Sequence, residues 1–279
     1  APPNGEPFIN GMTNMVYATG AADGTRRLDE IPIAYQDRDK HGLFRYNFDP
    51  AESELILSVA DVLEQHPQRD AILQADREIQ ARLGGDECLT LMLYAVRYSH
   101  DGQRILFYFG NHTVSKWSKQ ERQEPKIGTV FTANRDLSDL QMAVDLSFDR
   151  RGNHWGWHPD GRHILGYAPP DAEQGSKTAL MQVDTHDPQN TRRLSRHATH
   201  GHPSISPTNY NLLVSDSYGV PGEVVFIDVR TDTWLTTLEI PRTNTDNVPL
   251  GRNRHRVDNH PVFSPDGSKV LINTLPGEL

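Results

Sequence analysis

Cysteine is almost missing from this chain. Its 279 residues include one, Cys88, so no internal disulfide can staple the fold and ordinary packing must build the core. Long apolar runs are missing too; no stretch of about 18 such residues occurs, which excludes a membrane-spanning helix. There is no excess of positive charge. With 28 Lys+Arg against 37 Asp+Glu the net charge is −9, which argues against a nucleic-acid backbone as partner. The first residue is Ala1 rather than Met and no signal-peptide pattern follows, as expected of a processed chain. A secreted or periplasmic setting is the expectation. Hydrophobic content is a modest 36%, whereas Gly (21) and Pro (19) are plentiful, a balance that suits many short strands joined by tight turns.

What the chain does have is a repeat. Residues 44–57, 94–107, 153–166, 201–214 and 259–272 each read as a short apolar run, a turn and a second apolar run. The turns are Asp-Pro, His-Asp-Gly, Pro-Asp-Gly twice and Pro-Thr-Asn. The second residue of each segment is Arg45, Ala95, His154, His202 and His260, at spacings of 50, 59, 48 and 58. A period of roughly 40–50 residues stretched by loops is the signature of a β-propeller with one four-stranded sheet per blade. Further candidate hairpins lie between the repeats, at 15–30, 71–83, 129–144, 180–195 and 224–239, as outer strand pairs. The reading is an all-β, single-domain propeller over 1–279, either a five-bladed ring or a portion of a seven-bladed one. The N-terminal outer strands would complete the C-terminal blade and so remove two exposed sheet edges. Residues 59–70 read as a short helical insertion.

Equivalent positions in a radial repeat point at one common place. His154, His202 and His260 come from three consecutive blades, and a cluster of neutral imidazoles suits a divalent metal such as Mn²⁺ or Zn²⁺ (Ca²⁺ is the harder alternative), with His255 and Asp258 as possible extra ligands. Loops on the same face bring His112, Lys116, Tyr167 and Tyr218. The intervening connections bring Arg150, Arg151, His200, Arg252, Arg254 and Arg256. So many cations and phenols favour an anionic ligand despite the acidic chain. Asn111-His112-Thr113 also matches a glycosylation sequon.

The segments N-H-W-G-W-H-P-D-G (153–161), H-G-H-P-S-I-S-P (200–207) and H-R-V-D-N-H-P-V-F-S-P-D-G (255–267) resemble those of β-propeller polysaccharide lyases, the oligogalacturonate lyases in particular. Ulvan and rhamnose–glucuronate lyases are relatives in architecture. The resemblance covers roughly 150–275. It implies a Mn²⁺ held by His154, His202 and His260, with His255 and Asp258 standing where the family has a Gln and another His. It also implies β-elimination on a uronic acid within an acidic oligo- or polysaccharide. In that reading the metal with Arg45 or Arg256 neutralises the carboxylate, and the base and acid come from His112, His200 and Tyr218. Arg254, Tyr167 and Lys116 contact substrate. Two other readings stay open: a non-catalytic TolB-like binding propeller, and a glycoside hydrolase, for which carboxylates are scarce beyond Asp216 and Asp258.

Overall fold

The computed structural model describes residues 7–11, 37–83, 91–111, 125–148, 150, 152–170, 178–197, 201–217, 222–240 and 259–273. The architecture is that of a β-propeller: consecutive antiparallel meanders, each strand pairing with its neighbour in sequence. Three of these sheets are complete four-stranded blades. They are β4–β7 (Met92–Tyr98, Arg104–Gly110, Gly128–Asn134, Gln141–Asp145), β8–β11 (Asn153–Trp157, His163–Ala168, Ala179–Asp184, Asp187–Ser195) and β12–β15 (Ser204–Ile205, Leu212–Ser217, Gly222–Asp228, Thr233–Ile240). A three-stranded sheet precedes them, β1–β3 (Phe8–Gly11, Gly42–Phe48, Ala51–Ser58), and a two-stranded one follows, β16–β17 (Val262–Phe263, Val270–Leu271). The middle strands are buried on both faces: every residue of β5 (R-I-L-F-Y-F-G) and of β10 (A-L-M-Q-V-D) is shielded. Apolar continuity, rather than alternation, is what a strand covered on both sides requires.

The repeated turn has one internal logic. Its first residue donates its backbone N–H back across the hairpin, from Ser99 to Arg104, His158 to His163, Ser206 to Leu212 and Ser264 to Lys269, at 2.8–2.9 Å. In three of these turns the side chain of that residue meets the aspartate two positions on, and in the fourth Ser206 Oγ meets Thr208 at 3.3 Å. Ser99 Oγ donates to Asp101 and Ser264 Oγ to Asp266, both at 2.6 Å, and His158 Nδ1 lies 3.1 Å from Asp160. The glycine after each aspartate is left-handed, with φ of 71° at Gly102, 70° at Gly161 and 69° at Gly267.

The outer hairpin expected at 71–83 is instead a helix. After β3, Ser58 caps α1 (Val59–Gln65) in a capping box with Asp61, and α2 (Arg69–Leu83) follows. The helix at 59–65 agrees with the sequence reading. In α2 the run A-I-L-Q-A-D-R-E-I-Q-A-R-L consists almost wholly of strong helix formers, and it buries Ile72, Ala75 and Ile79 on one face. The hairpin expected at 15–30, and with it the proposed closure of the last blade, lies outside the described residues.

The chain divides into two compact units, Ala1–Arg150 and Arg151–Leu279. The first is centred on a core that includes Leu43, Val62, Ile72, Phe107, Phe109 and Phe131. In the second, Leu165, Tyr167, Leu180, Leu213 and Ile227 form the main cluster. Among the described residues, no helix is long and apolar enough to cross a membrane.

Candidate functional site

The second unit brings His154, His202 and His260 together. They meet as a column of stacked rings: His154 and His202 have centroids 4.1 Å apart at 28°, and His202 and His260 are 3.4 Å apart at 21°. Each occupies the beginning of an inner strand or the residues just before it. The backbone there is unusual. His154 (φ 57°) and His260 (φ 42°) are left-handed, as is Ala95 (φ 54°) at the same repeat position of the first unit. A register shift between Asn153 and Gly156 frees His154 from the ladder, and a matching one spans Tyr94–Arg97. Left-handed non-glycine residues cost of order 1 kcal/mol or more each and persist where surrounding structure imposes them.

Hydrogen bonding at the column centres on Asp216, a carboxylate on β13 whose side chain has no exposed area. It accepts the backbone N–H of His202 at 2.6 Å, the backbone N–H of His260 at 3.1 Å, and the His202 Nδ1–H at 3.0 Å. Burial pushes the Asp216 carboxyl up, but the hydrogen bonds and charge of His202, with the His260 amide, outweigh it and hold the group below the usual carboxylate range. The neighbouring imidazole is fixed as well: His154 Nδ1–H donates to the Gly201 carbonyl at 2.5 Å. Gly201 has φ 108°, and a Cβ there would stand 1.7 Å from the Asp216 carbonyl oxygen, so only glycine lets the two strands approach this closely. On one flank Tyr167 meets His154 edge-on at 6.4 Å. On the other, the Asn259 Oδ1 beside His260 is buried with no hydrogen-bond partner among the described residues.

With Nδ1 of His154 and His202 donating, Nε2 is the basic nitrogen of each ring. Donation of the other ring N–H to a carboxylate or carbonyl is the usual support of a metal-bound histidine. Face-to-face rings do not chelate as they stand. Among the described residues, no group of three or more His, Cys, Asp or Glu is arranged to hold an ion.

The other expected site residues fare differently. Tyr167 is 1% exposed, its hydroxyl lies 3.3 Å from Ser215 Oγ, and its ring packs against the column. Arg45 lies in the first unit on β2, which is flanked by β1 and β3 and so is not the inner edge strand that the repeat predicts. His112, Lys116, His200, Tyr218, Arg254, His255, Arg256 and Asp258 fall outside the described residues. The Asn111 sequon has a structural role: the side chain is buried, donates to the Pro125 carbonyl and accepts from the Ile127 amide, both at 2.9 Å. Sequence reasoning overlooked Gly201 and Asn259; each directly precedes a repeat histidine, which was the available signal.

No protein-family profile matches this chain, and no curated protein does. Solved structures do. A prolyl endopeptidase matches at 10% identity over 77% of this chain and 29% of its own, with a TM-score of 0.42. The β-propeller domain of the Trilobed protease from Pyrococcus furiosus matches at 12% over 55% and 44%, TM-score 0.38. TolB from Acinetobacter baumannii matches at 12% over 85% and 55%, TM-score 0.34. The chain thus spans less than two-thirds of the length of each, and the likeness is one of fold. These findings correct the expected kinship: the structures named above are of peptidases and TolB, not of polysaccharide lyases. The uronate-lyase activity inferred from that kinship goes with it.

Proposed function

We propose that this chain is a ligand-binding β-propeller and that the histidine column is its binding centre, taking a divalent cation when the stacked rings turn to present their Nε2 atoms to one point. The observation that carries this reading is the paired anchoring of His202 on Asp216 and His154 on the Gly201 carbonyl, which makes Nε2 the electron-pair donor on both rings. His260, whose ring stacks on that of His202 and whose backbone N–H donates to Asp216, completes the column. The reading as a binder rests on what the column withholds. Asp216 is saturated by three N–H donors, and Ser215 is fully buried with its hydroxyl directed at Tyr167 and the Asp216 carbonyl, so neither reaches a substrate. When bound, the cation supplies a fixed positive charge; the protein orients the rings that hold it.

The test is calorimetric titration of Mn²⁺, Zn²⁺ and Ca²⁺ into chelator-treated protein, with elemental analysis alongside. About one ion per chain is expected. His202→Ala should abolish uptake, and Asp216→Asn should weaken it by roughly 10- to 100-fold, the usual effect of removing an outer-shell partner. Failure of all three ions to bind overturns the proposal.

A further inference from the structure

Each complete blade ends on an outer strand, and an outer strand has one edge that needs a cover or a guard. These strands are β7, β11 and β15, each last in the order of its sheet. Two of them are protected. β7 is half-buried, and Gln68, between α1 and α2, donates to its Asp145 at 2.7 Å. β11 is exposed, but it opens on Asp187 and Pro188 and carries Arg192 and Arg193; proline and charge both discourage pairing. β15 (T-W-L-T-T-L-E-I) has neither device. It contains no proline and a single charge, Glu239, while Trp234, Leu235 and Leu238 are 43, 53 and 51% exposed. No strand among the described residues pairs with its outer edge. We infer that β15 is an interaction surface for a second copy of this chain, the two β15 strands pairing antiparallel about a two-fold axis.

The strand's own sequence selects both that partner and the register. The ladder with β14 shifts between Phe226 and Ile227, which sets Leu235 out as a bulge and leaves 236–240 as the regular stretch. Opposed residues share a face, so a two-fold axis between two copies of one strand passes through a single position. Centred on Leu238, the pairing sets that residue against its own copy, Thr236 against Ile240 and Thr237 against Glu239. Apolar and β-branched side chains then oppose one another, and each carboxylate meets a hydroxyl. That hydroxyl is suited to the contact: it accepts from Trp234 Nε1 at 2.8 Å, and its own proton remains for the carboxylate. Centred on Glu239 instead, the pairing opposes two carboxylates. Centred on Thr237, it runs Glu239 into the bulge at Leu235.

Sedimentation of the full chain over about 10–300 μM tests this, with a reversible monomer–dimer equilibrium as the expected result. Leu238→Lys opposes two ammonium groups at the axis and should weaken the dimer about tenfold or more. Leu238→Glu should do the same. Position 238 is exposed, so neither substitution buries a charge in the monomer. An equimolar mixture of the two variants should associate again, because a two-fold through position 238 brings their opposite charges together. Leu271→Lys, at another exposed apolar position on β17, should leave association unchanged. A chain that stays monomeric throughout this range leaves the edge to a strand of a different protein and overturns the inference. So does a dimer indifferent to Leu238→Lys, one weakened equally by Leu271→Lys, or a variant mixture that fails to associate.

Discussion

His66 and Asp216 are both buried ionisable side chains, and their surroundings select opposite charge states. His66 lies between the rings of Phe109 and Phe131, accepts the Gln68 amide on Nδ1 at 3.1 Å, and places Nε2 2.9 Å from Thr129 Oγ1. With Nδ1 accepting, Nε2–H donates, and the neutral tautomer satisfies both nitrogens. Burial lowers its pKa from 6.5, opposed only partly by the charge of Asp145. A depressed folded-state value means that the contribution is fully present above the unfolded value and is lost as pH falls through the folded one. Thermal midpoints should therefore decline below about pH 6.5, and His66→Gln should flatten that part of the curve. An unchanged slope in the variant would contradict the assignment. Asp216 is the reverse case: its two backbone donors and one ring donor make the anion the favoured form despite burial. Its importance was partly visible in sequence, as one of few carboxylates near the repeat histidines, but its partners were not.

At the level of elements, sequence was a good guide wherever the turn chemistry was explicit. The four hairpins built on Ser99, His158, Ser206 and Ser264 fold as their Asp-Gly or Thr-Asn turns dictate. It misled at 71–83, where apolar residues at 72, 75 and 79 match a helical period and the helix-forming neighbours decide the outcome. The capping box ahead of α1 marks where strand pairing gives way to helix. Ser58→Ala should cost about 1 kcal/mol in chemical denaturation, since it orphans the Asp61 amide and removes the hydroxyl's bond to the Asp61 carboxylate. A second element-scale constraint joins β8 to β9. Trp155 is fully buried against Gly166, where a Cβ would come within 2.4 Å of the indole. Gly166→Ala overpacks that contact and should destabilise by about 1–3 kcal/mol, with Trp155 fluorescence reporting the displaced ring. A neutral effect on stability would show that the strands can part without cost.

For the whole molecule, the repeat made the propeller legible because every blade must answer the same burial problem with the same strand–turn–strand unit. It also fixed which side chains meet, which is why His154, His202 and His260 share one column. Ring orientation was not legible, because it is set by acceptors 47 and 14 residues away, the Gly201 carbonyl and Asp216. The same dependence on distant partners shapes the response to acid. Hydrogen bonds and charge from Arg162 hold the Asp184 carboxyl at about 2, and those of Ser264 and Ser268 hold Asp266 at about 2 as well. Asp101, Asp160, Asp216 and Asp232 are lowered too, and all six accept hydrogen bonds from neighbouring loops or turns. Each contributes stability that is complete above the ordinary value of 3.8 and disappears as pH falls through the folded value. The losses add in one direction, so the unfolding free energy should fall steeply between about pH 4 and pH 2. Asp184 is the most informative probe, because its side chain is 1% exposed while Arg162 stays 58% exposed. Asp184→Asn should lower stability at pH 6 and reduce the acid slope, so that wild type and variant converge towards pH 2. Parallel curves for the two proteins would mean that the Arg162 contact does not hold the carboxylate in its charged form.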